Sequence, residues 1–529
     1  MNRTPQPALD KMRISKMNSF LDRRTFMRLS SACAVLLSQK LHPQTKSTVL
    51  PLIDKSIVKN RKNFVGIQIR AYAWHDEGID RLLDLVQEKG DVNTMLAYTF
   101  SYSREDARMK KSNPIPLPDH GSYGDPNEKF VGGAFYDYDP KFFQNTVLKD
   151  FRSPDFGGKV NVISDVAAKV KARGMDYFAW DFNNADPMMM RAIPNAEEVF
   201  EIDVYGRRTA CPCWNNPDYR AFLIGKVETY LIQYANEVDG IMWGCERMGP
   251  LENMIGGGWE TKGISCFCPY CRQKARERGI SVERAQAGYQ RLDQLFNAAA
   301  KDQRPSDGYF VSFWRLLLEY PEILAWNMLW YDSYHEVRSE LYSTAKTLAP
   351  AKPFGFHIMH ATSLNPFYRA TEDWSKTKIY ADFVKLANYN NAAGPRMQRT
   401  LDSMSGTIFH DAAPEDILPL YYKIMNYHEA PYDQLHIAGL SPDYVAEETK
   451  RAISGVQGET KIYPAIDIDV PTKPTDHRTK PEDVRQAVRA AMGAGADGVV
   501  LSREYVEMWI ANIAAAGDTL REIFAKSTT

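Results

Sequence analysis

An apolar, strand-like run followed by a helical run recurs eight times along this chain, and this alternation constrains the fold more than any other feature. Regular β-then-α alternation predicts a parallel sheet with right-handed crossovers, and eight units predict a closed barrel. A doubly wound open sheet is the alternative, but no glycine-rich phosphate loop follows any of the runs. We therefore expect an α/β protein with a (β/α)8 TIM barrel. The predicted strands are 63–74, 92–102, 175–184, 238–246, 352–360, 382–390, 460–470 and 497–504.

The fourth predicted strand ends at a carboxylate. Its apolar core at 241–243 is followed by Gly244 and then by Glu246, and an amphipathic helix at 219–234 precedes it. In a barrel of this kind the chemistry sits at the C-terminal ends of the strands. Glu246 is therefore the first candidate for a catalytic acid/base. The alternative is a surface glutamate paired with Arg247.

The composition narrows the class of partner. The chain has 529 residues, a net charge of −1 and a hydrophobic content of 44%. A nearly neutral chain of this kind argues against nucleic acid or an anionic membrane surface as the partner. The 28 Tyr and 10 Trp supply flat apolar faces with a polar tip, which suit carbohydrate rings. We expect an oligosaccharide or glycoside as the substrate.

The N-terminal region is expected to lie outside the folded domain. Residues 1–50 form a leader and 51–529 a barrel domain, with a long insertion at 251–348 after the fourth strand. An arginine pair at 23–24, Phe26 and a short apolar run resemble a twin-arginine export signal. The run is too short to span a bilayer, and no later stretch is apolar enough to be transmembrane. We expect a periplasmic or extracellular protein that uses the twin-arginine machinery; a basic leader without that function is the alternative.

Polar and aromatic side chains collect at the C-terminal ends of the predicted strands, where a barrel carries its site. Each of them has an alternative function as a turn cap or a satisfied polar group of the core, and their collection at one end favours a site. The expected substrate-binding residues are Arg70, Trp74, Trp180, Asp181, His357, His360, Asn388, Arg503 and Glu504.

Hydrolysis of a glycosidic bond needs two carboxyl groups that flank it. With Glu246 as acid/base, the seventh strand supplies Asp467 and Asp469, which share one face because strand side chains repeat every two residues. Asp469 is the first choice for nucleophile or base, Asp467 the second, and Glu504 a third candidate. The pair should face one cavity, roughly 5–10 Å apart. Because Glu246 follows an apolar strand that contains Trp243, we expect burial to raise its pKa and keep it protonated near neutral pH.

Five cysteines form two short clusters. Cys266, Cys268 and Cys271 lie in the insertion, and Cys211 and Cys213 precede the helix before the fourth strand. Four thiolates suit a closed, tetrahedral structural zinc site, so the first three with one of the other two are expected to bind one zinc. Disulfides are the alternative in an exported protein, but such tight spacing disfavours two unstrained bridges. Zinc would bind before export, since the twin-arginine route resembles one for folded proteins.

A carboxylate after the fourth strand, a Cys-x-Cys-x-x-Cys cluster behind it and a cysteine ahead of it resemble the zinc-containing family 42 β-galactosidases. The wider set of glycosyl-hydrolase-like bacterial barrels is similar too. The segments 216–220, 239–241, 266–271 and 497–505 carry the resemblance, which implies a barrel from 63 to 526 with a glycosidase-type site. There are two departures. The family has Asn before its acid/base Glu, where this chain has Cys245, and its nucleophile is Glu, where the seventh strand offers only aspartates.

Two classes of function follow. The first is an exported glycoside hydrolase with a carboxylate pair. The alternative is a non-hydrolytic barrel that binds carbohydrate or acts as a lyase or epimerase. A metal-dependent aldolase or isomerase that uses His357, His360 and the acids is a third possibility. Replacement of Glu246 by Gln should abolish turnover of aryl glycosides, with binding retained, in the first class only.

Overall fold

The computed structural model describes residues 54–101, 131–183, 193–256, 263–470 and 472–526. The leader at 1–50, with its arginine pair, lies outside these ranges, so the export signal stays a prediction. Among the helices described, none is both long enough and apolar enough to cross a membrane.

The strands confirm the predicted barrel. They are β1 (Phe64–Ile69), β2 (Thr94–Ser101), β3 (Gly133–Ala134), β4 (Asp176–Phe182), β5 (Phe200–Ile202), β6 (Arg208–Pro212), β7 (Gly240–Gly244), β8 (Phe354–Ile358), β9 (Phe383–Asn388), β10 (Lys461–Asp467) and β11 (Gly498–Ser502). Eight of them, namely β1, β2, β4, β7, β8, β9, β10 and β11, pair in parallel in this order. β1 closes the barrel because it pairs with both β2 and β11.

Helices surround the barrel. Their bounds are Ala71–Glu77, Ile79–Gly90, Ser164–Ala172, Pro217–Glu228, Pro250–Ile255, Pro269–Glu277, Val282–Ala299, Tyr309–Glu319, Glu322–Leu348, Ala361–Leu364, Pro366–Thr371, Trp374–Thr377, Asn390–Ser405, Pro414–Met425, Leu435–Ala438, Pro442–Val456, Pro481–Gly493 and Ile510–Lys526. The five from Pro250 to Leu348 form the insertion between β7 and β8. The helix before β7 starts where Asn216 caps it and Pro217 occupies its first turn.

The barrel interior is filled by side chains. Rings from four strands form one layer, in which Phe64 stacks on Tyr463 with 4.0 Å between centroids and lies 6.0 Å from Phe178 and 6.4 Å from Phe383. A Cβ at Gly355 would lie 2.4 Å from the Phe383 ring, so glycine makes room for it. A filled interior leaves the loops at the C-terminal ends of the strands as the place for a site.

All eight predicted strands are longer than the observed ones, and in β1 and β10 the difference changes the setting of a candidate site residue. β1 ends at Ile69, and the next residues form the helix Ala71–Glu77, whose first four residues are buried. Trp74 therefore lies on a helix, because the apolar run continues at helical spacing. β10 ends at Asp467, so the two-residue repeat that was expected to align Asp469 with Asp467 stops before Asp469.

Candidate active site and cysteine cluster

Glu246 lies at the C-terminal end of the barrel, two residues beyond β7, and contacts His357 on β8. The Nε2 atom of His357 is 2.9 Å from Oε1 of Glu246. Gly244 permits this approach, since a Cβ there would lie 2.7 Å from the Cβ of His357. The side chain of Glu246 is 30% exposed and that of His357 only 2%. Glu246 is thus the member of the pair that solvent or a ligand reaches.

Glu246 is ionised in this site. Burial raises its pKa, but the hydrogen bond from His357 and the positive charges of Arg396 and Lys385 outweigh burial and lower the pKa to about 2. The expectation of a raised pKa is therefore wrong, because it considered burial without these partners. Burial, with the charge of Lys385, lowers the pKa of His357 to about 4. His357 is thus neutral and donates its Nε2–H to the carboxylate.

Lys385 on β9 points into the barrel and is not among the site residues predicted from the sequence. It alternates with Phe383 and Ala387, which belong to the interior cluster, and it pairs in register with His357. Its ammonium group donates to the hydroxyl of Tyr389 at 2.6 Å. Burial lowers the pKa of Lys385 to about 7. A signal for it existed: a single lysine inside the apolar run 382–390.

Tyr389 has cationic neighbours. The guanidinium of Arg396 lies 5.6 Å from the centre of its ring. Nη1 of Arg396 donates to Nδ1 of His360 at 2.7 Å, and Nε2 of His360 contacts the Tyr444 hydroxyl at 3.1 Å. His360, expected to bind substrate, is 2% exposed and holds Arg396 in place. Arg503 also acts electrostatically on Tyr389.

Arg70, Arg503 and Glu504 lie at the ends of β1 and β11, as predicted, but each is held by protein groups. Arg70 forms an ion pair with Glu504, which also accepts from the Tyr72 hydroxyl at 3.2 Å. Arg503 forms an ion pair with the buried Glu507, with 2.7 Å between Nε and Oε2. These contacts give the three residues fixed positions.

The two candidate aspartates have different environments. Asp467 accepts from the backbone N–H groups of Ala392 at 3.0 Å and Val470 at 2.8 Å, and from the Thr479 hydroxyl at 3.2 Å. Burial raises the pKa of Asp467. Asp469 forms an ion pair with Arg478. Three donors thus engage both oxygens of Asp467, whereas Asp469 is in contact with a cation.

Two predicted substrate-binding residues are on the outer face of the barrel. Asp181 is 1% exposed and forms an ion pair with the fully buried Lys226, at 2.8 Å. Asn388 lines a small cavity between β9 and the surrounding helices, together with Leu386. Their positions do not fit contact with a ligand at the barrel mouth, since alternate residues of a strand face opposite ways. Trp180 does face the interior, 5.8 Å from the His357 ring.

Four cysteines form one buried cluster. The sulfur atoms of Cys213, Cys266, Cys268 and Cys271 all lie within 4.8 Å of one another. Sγ of Cys213 is 3.4 Å from that of Cys268 and from that of Cys271, too far for disulfides. Zinc–sulfur bonds of about 2.3 Å in a tetrahedron place sulfurs about 3.8 Å apart. The spacing therefore fits a metal, and Cys213, not Cys211, is the fourth member.

Further contacts of the cluster fit bound thiolates. Asn215 donates its backbone N–H to Cys213 and its side-chain amide to Cys271, both at 3.3 Å. The N–H of Cys268 points to the sulfur of Cys266 at 3.4 Å. Donors of this kind commonly orient metal ligands.

Comparisons with known proteins bear on the fold. No protein-family model matches the chain, and a search of curated proteins found no match. The structure is similar to a β-galactosidase from the Antarctic haloarchaeon Halorubrum lacusprofundi, with a TM-score of 0.50 and 14% identity over 87% of this chain and 58% of that one. It is also similar to a β-galactosidase from Marinomonas ef1, with a TM-score of 0.49 and 11% identity over 88% of this chain and 60% of that one. The chain spans less than two thirds of each, and the likeness shows a barrel fold that glycoside hydrolases also have.

Proposed function

We propose that this protein is a glycoside hydrolase whose reaction depends on Glu246. One observation carries the proposal: an ionised, partly exposed carboxylate at the end of the fourth barrel strand, held by a neutral histidine. Carboxylates in that position are what glycosidic hydrolysis on such a barrel requires. The similarity to the β-galactosidase from Halorubrum lacusprofundi supports a carbohydrate substrate.

The ionisation of Glu246 assigns its role. Hydrolysis needs one carboxyl group ionised and another protonated. Glu246 is the ionised one in the resting site, so it acts as nucleophile or general base rather than as the acid. Glu504 is tied to Arg70, and Asp469 is tied to Arg478. Burial raises the pKa of Asp467, which shares the inward face of β10 with Tyr463 and Ala465, so we assign proton donation to Asp467 and keep Asp469 as the alternative.

The cysteine cluster would hold one zinc ion as a structural site. Four sulfur ligands leave no position for water, so the metal supports the loop behind Glu246 and takes no part in bond cleavage. A zinc site is compatible with the proposed twin-arginine export to the periplasm or the extracellular space, because thiols that bind metal before export are protected from oxidation. Assay of metal and free thiols in cytoplasmic and exported protein tests this. Metal-free exported protein with two disulfides would refute it.

Leaving-group dependence tests the catalytic roles. Aryl glycosides with dinitrophenol need little acid assistance, whereas simple alkyl or phenyl glycosides need it. Glu246→Ala should lose turnover of both kinds by about a thousandfold or more. Asp467→Ala should lose only the turnover of glycosides with poor leaving groups. Full activity of Glu246→Gln would contradict the proposed role of Glu246. If the unmodified protein binds oligosaccharide without hydrolysing it, the non-hydrolytic alternative is correct.

A further inference from the structure

Lys385 occupies a place where barrels rarely put a charge. Its neighbours on the same face of β9 are Phe383 and Ala387, and its side chain is 1% exposed. A buried lysine normally needs a carboxylate in contact, as Lys226 has in Asp181 at 2.8 Å. The side chain of Lys385 instead forms a hydrogen bond to a neutral phenol, that of Tyr389.

These surroundings favour the free amine. Burial is the largest effect on Lys385, the positive charges of Arg503 and Arg396 act in the same direction, and the attraction of Glu246 opposes them. With a pKa lowered to about 7, a large fraction of Lys385 carries a lone pair at neutral pH. An unprotonated amine is the form that attacks a carbonyl carbon.

Lys385 lies close in the fold to the partly exposed Glu246. Glu246, which attracts Lys385 electrostatically, has a side chain 30% exposed at the open end of the barrel. His357, which contacts Glu246 at 2.9 Å, pairs in register with Lys385 on the neighbouring strand.

We propose that Lys385 is a nucleophilic amine that condenses with the carbonyl group of a small 2-oxo acid to form an imine. Its lone pair forms the N–C bond while the carbonyl π electrons move to oxygen, which takes a proton. The carbinolamine then loses water, and nitrogen gives up a proton as the C=N bond forms. The Tyr389 hydroxyl, 2.6 Å from Nζ, is placed to pass these protons. No oxidant or reductant is needed.

The choice of an acidic carbonyl compound rests on charge. The guanidinium of Arg396 lies 5.6 Å from the centre of the Tyr389 ring and, with Arg503, acts electrostatically on Lys385, so a carboxylate next to the reacting carbonyl would be attracted there. Burial and the charge of Arg503 lower the pKa of Arg396, which indicates local positive charge that an anion would relieve. The inference does not rest on the proposed hydrolase, because imine formation needs no carboxylate pair.

Borohydride trapping tests the inference. Full-length protein is incubated with pyruvate or, separately, with the neutral ketone dihydroxyacetone, reduced with sodium borohydride and mapped by peptide mass spectrometry. With pyruvate the peptide that contains Lys385 should gain the mass of one pyruvate less one oxygen atom. Yield should exceed that with dihydroxyacetone by about tenfold, as for one charge-assisted hydrogen bond.

The chain supplies its own controls. The peptide with Lys226, also buried but paired with Asp181, should stay unmodified, and Lys385→Arg should lose the adduct at that site while keeping the charge. Tyr389→Phe should slow trapping and leave its position unchanged. No adduct on Lys385 with either ketone, in a protein shown to be folded by circular dichroism, overturns the imine; equal yields overturn the preference for an acid. Glu246→Gln should still be trapped, which separates this result from the hydrolase test.

Discussion

Arg247 and Glu201 form a buried ion pair, with 2.7 Å between Nη2 and Oε1, that joins the loop carrying Glu246 to the cysteine cluster. Nη1 of Arg247 donates to the carbonyl oxygen of Pro212, next to Cys213, at 2.6 Å. Glu201 accepts from the Ser265 hydroxyl, next to Cys266, at 2.6 Å. The residue after Glu246 is therefore fixed to both halves of the cluster, and the two sites are mechanically connected.

Glu201→Gln should destabilise the protein, because it leaves the charge of Arg247 buried without its partner. Breaking such a pair costs about 3–5 kcal/mol, whereas apolar replacement of both members can be neutral. Glu201→Leu with Arg247→Met should thus restore much of the free energy of unfolding but not turnover, since the bond to Pro212 is also lost. Denaturant unfolding and kcat measure the two effects. Full activity of the double variant would show that Arg247 does not position Glu246.

Removal of the His357 donor should move the acid limb of the pH–rate profile. In His357→Phe burial remains, so the pKa of Glu246 rises from about 2 and the carboxylate protonates at higher pH. A shift of one to two pH units corresponds to about 1.4–2.7 kcal/mol, typical of a hydrogen bond to a charge. His357→Gln keeps an N–H donor and should shift the limb less. Identical profiles for the two variants would contradict this reading.

Glu252 should make stability fall as the pH rises. Burial raises its pKa from 4.5 to about 7, against the hydrogen bonds from Asn327 and Tyr331. Because the folded protein holds this proton more tightly than the unfolded chain, the stabilisation is complete below pH 4.5 and is lost as pH rises through about 7. The loss is about 3 kcal/mol. Unfolding free energies of Glu252→Gln should lack this decline; parallel pH curves would refute the assignment.

The metal content of two variants should distinguish the role of Cys213 from that of Cys211. Cys213→Ser should lower the zinc measured by mass spectrometry well below one ion per chain and reduce the free energy of unfolding. Cys211→Ser should keep the metal, because Cys211 lies outside the four-sulfur cluster. Loss of metal in both variants, or in neither, would contradict the assignment.

The barrel could be predicted because its signal is repetitive. Apolar runs and helical spacing can be recognised without knowledge of the contacts between distant residues. All eight predicted strands overlap observed ones. Ends were harder. Buried apolar residues continue from β1 into the helix Ala71–Glu77, so hydrophobicity alone does not show where Ile69 ends the strand.

The candidate site was harder to predict because its contacts span the chain. Glu246 meets His357 across 111 residues, and that contact reverses the direction of the pKa shift. Lys385 was missed because both faces of a buried parallel strand are apolar. Lys385 shares one face of the strand with Phe383 and Ala387, but the sequence does not show whether this face points into the barrel or towards the surrounding helices. Cys213 was not distinguishable from Cys211 for a similar reason, since only the turn after β6 selects between them.

The double pairing of β1 has a consequence for how the polypeptide is made. Gln68 at one end of the chain accepts a hydrogen bond from Ser502, 434 residues later, across the seam between β1 and β11. While the ribosome is still working, that edge of β1 has no partner, and exposed strand edges invite pairing with other chains. Long-range closure of this kind is also slow. A chain truncated before residue 498 would leave this edge of β1 unpaired, so we expect it to aggregate rather than to form a smaller folded protein.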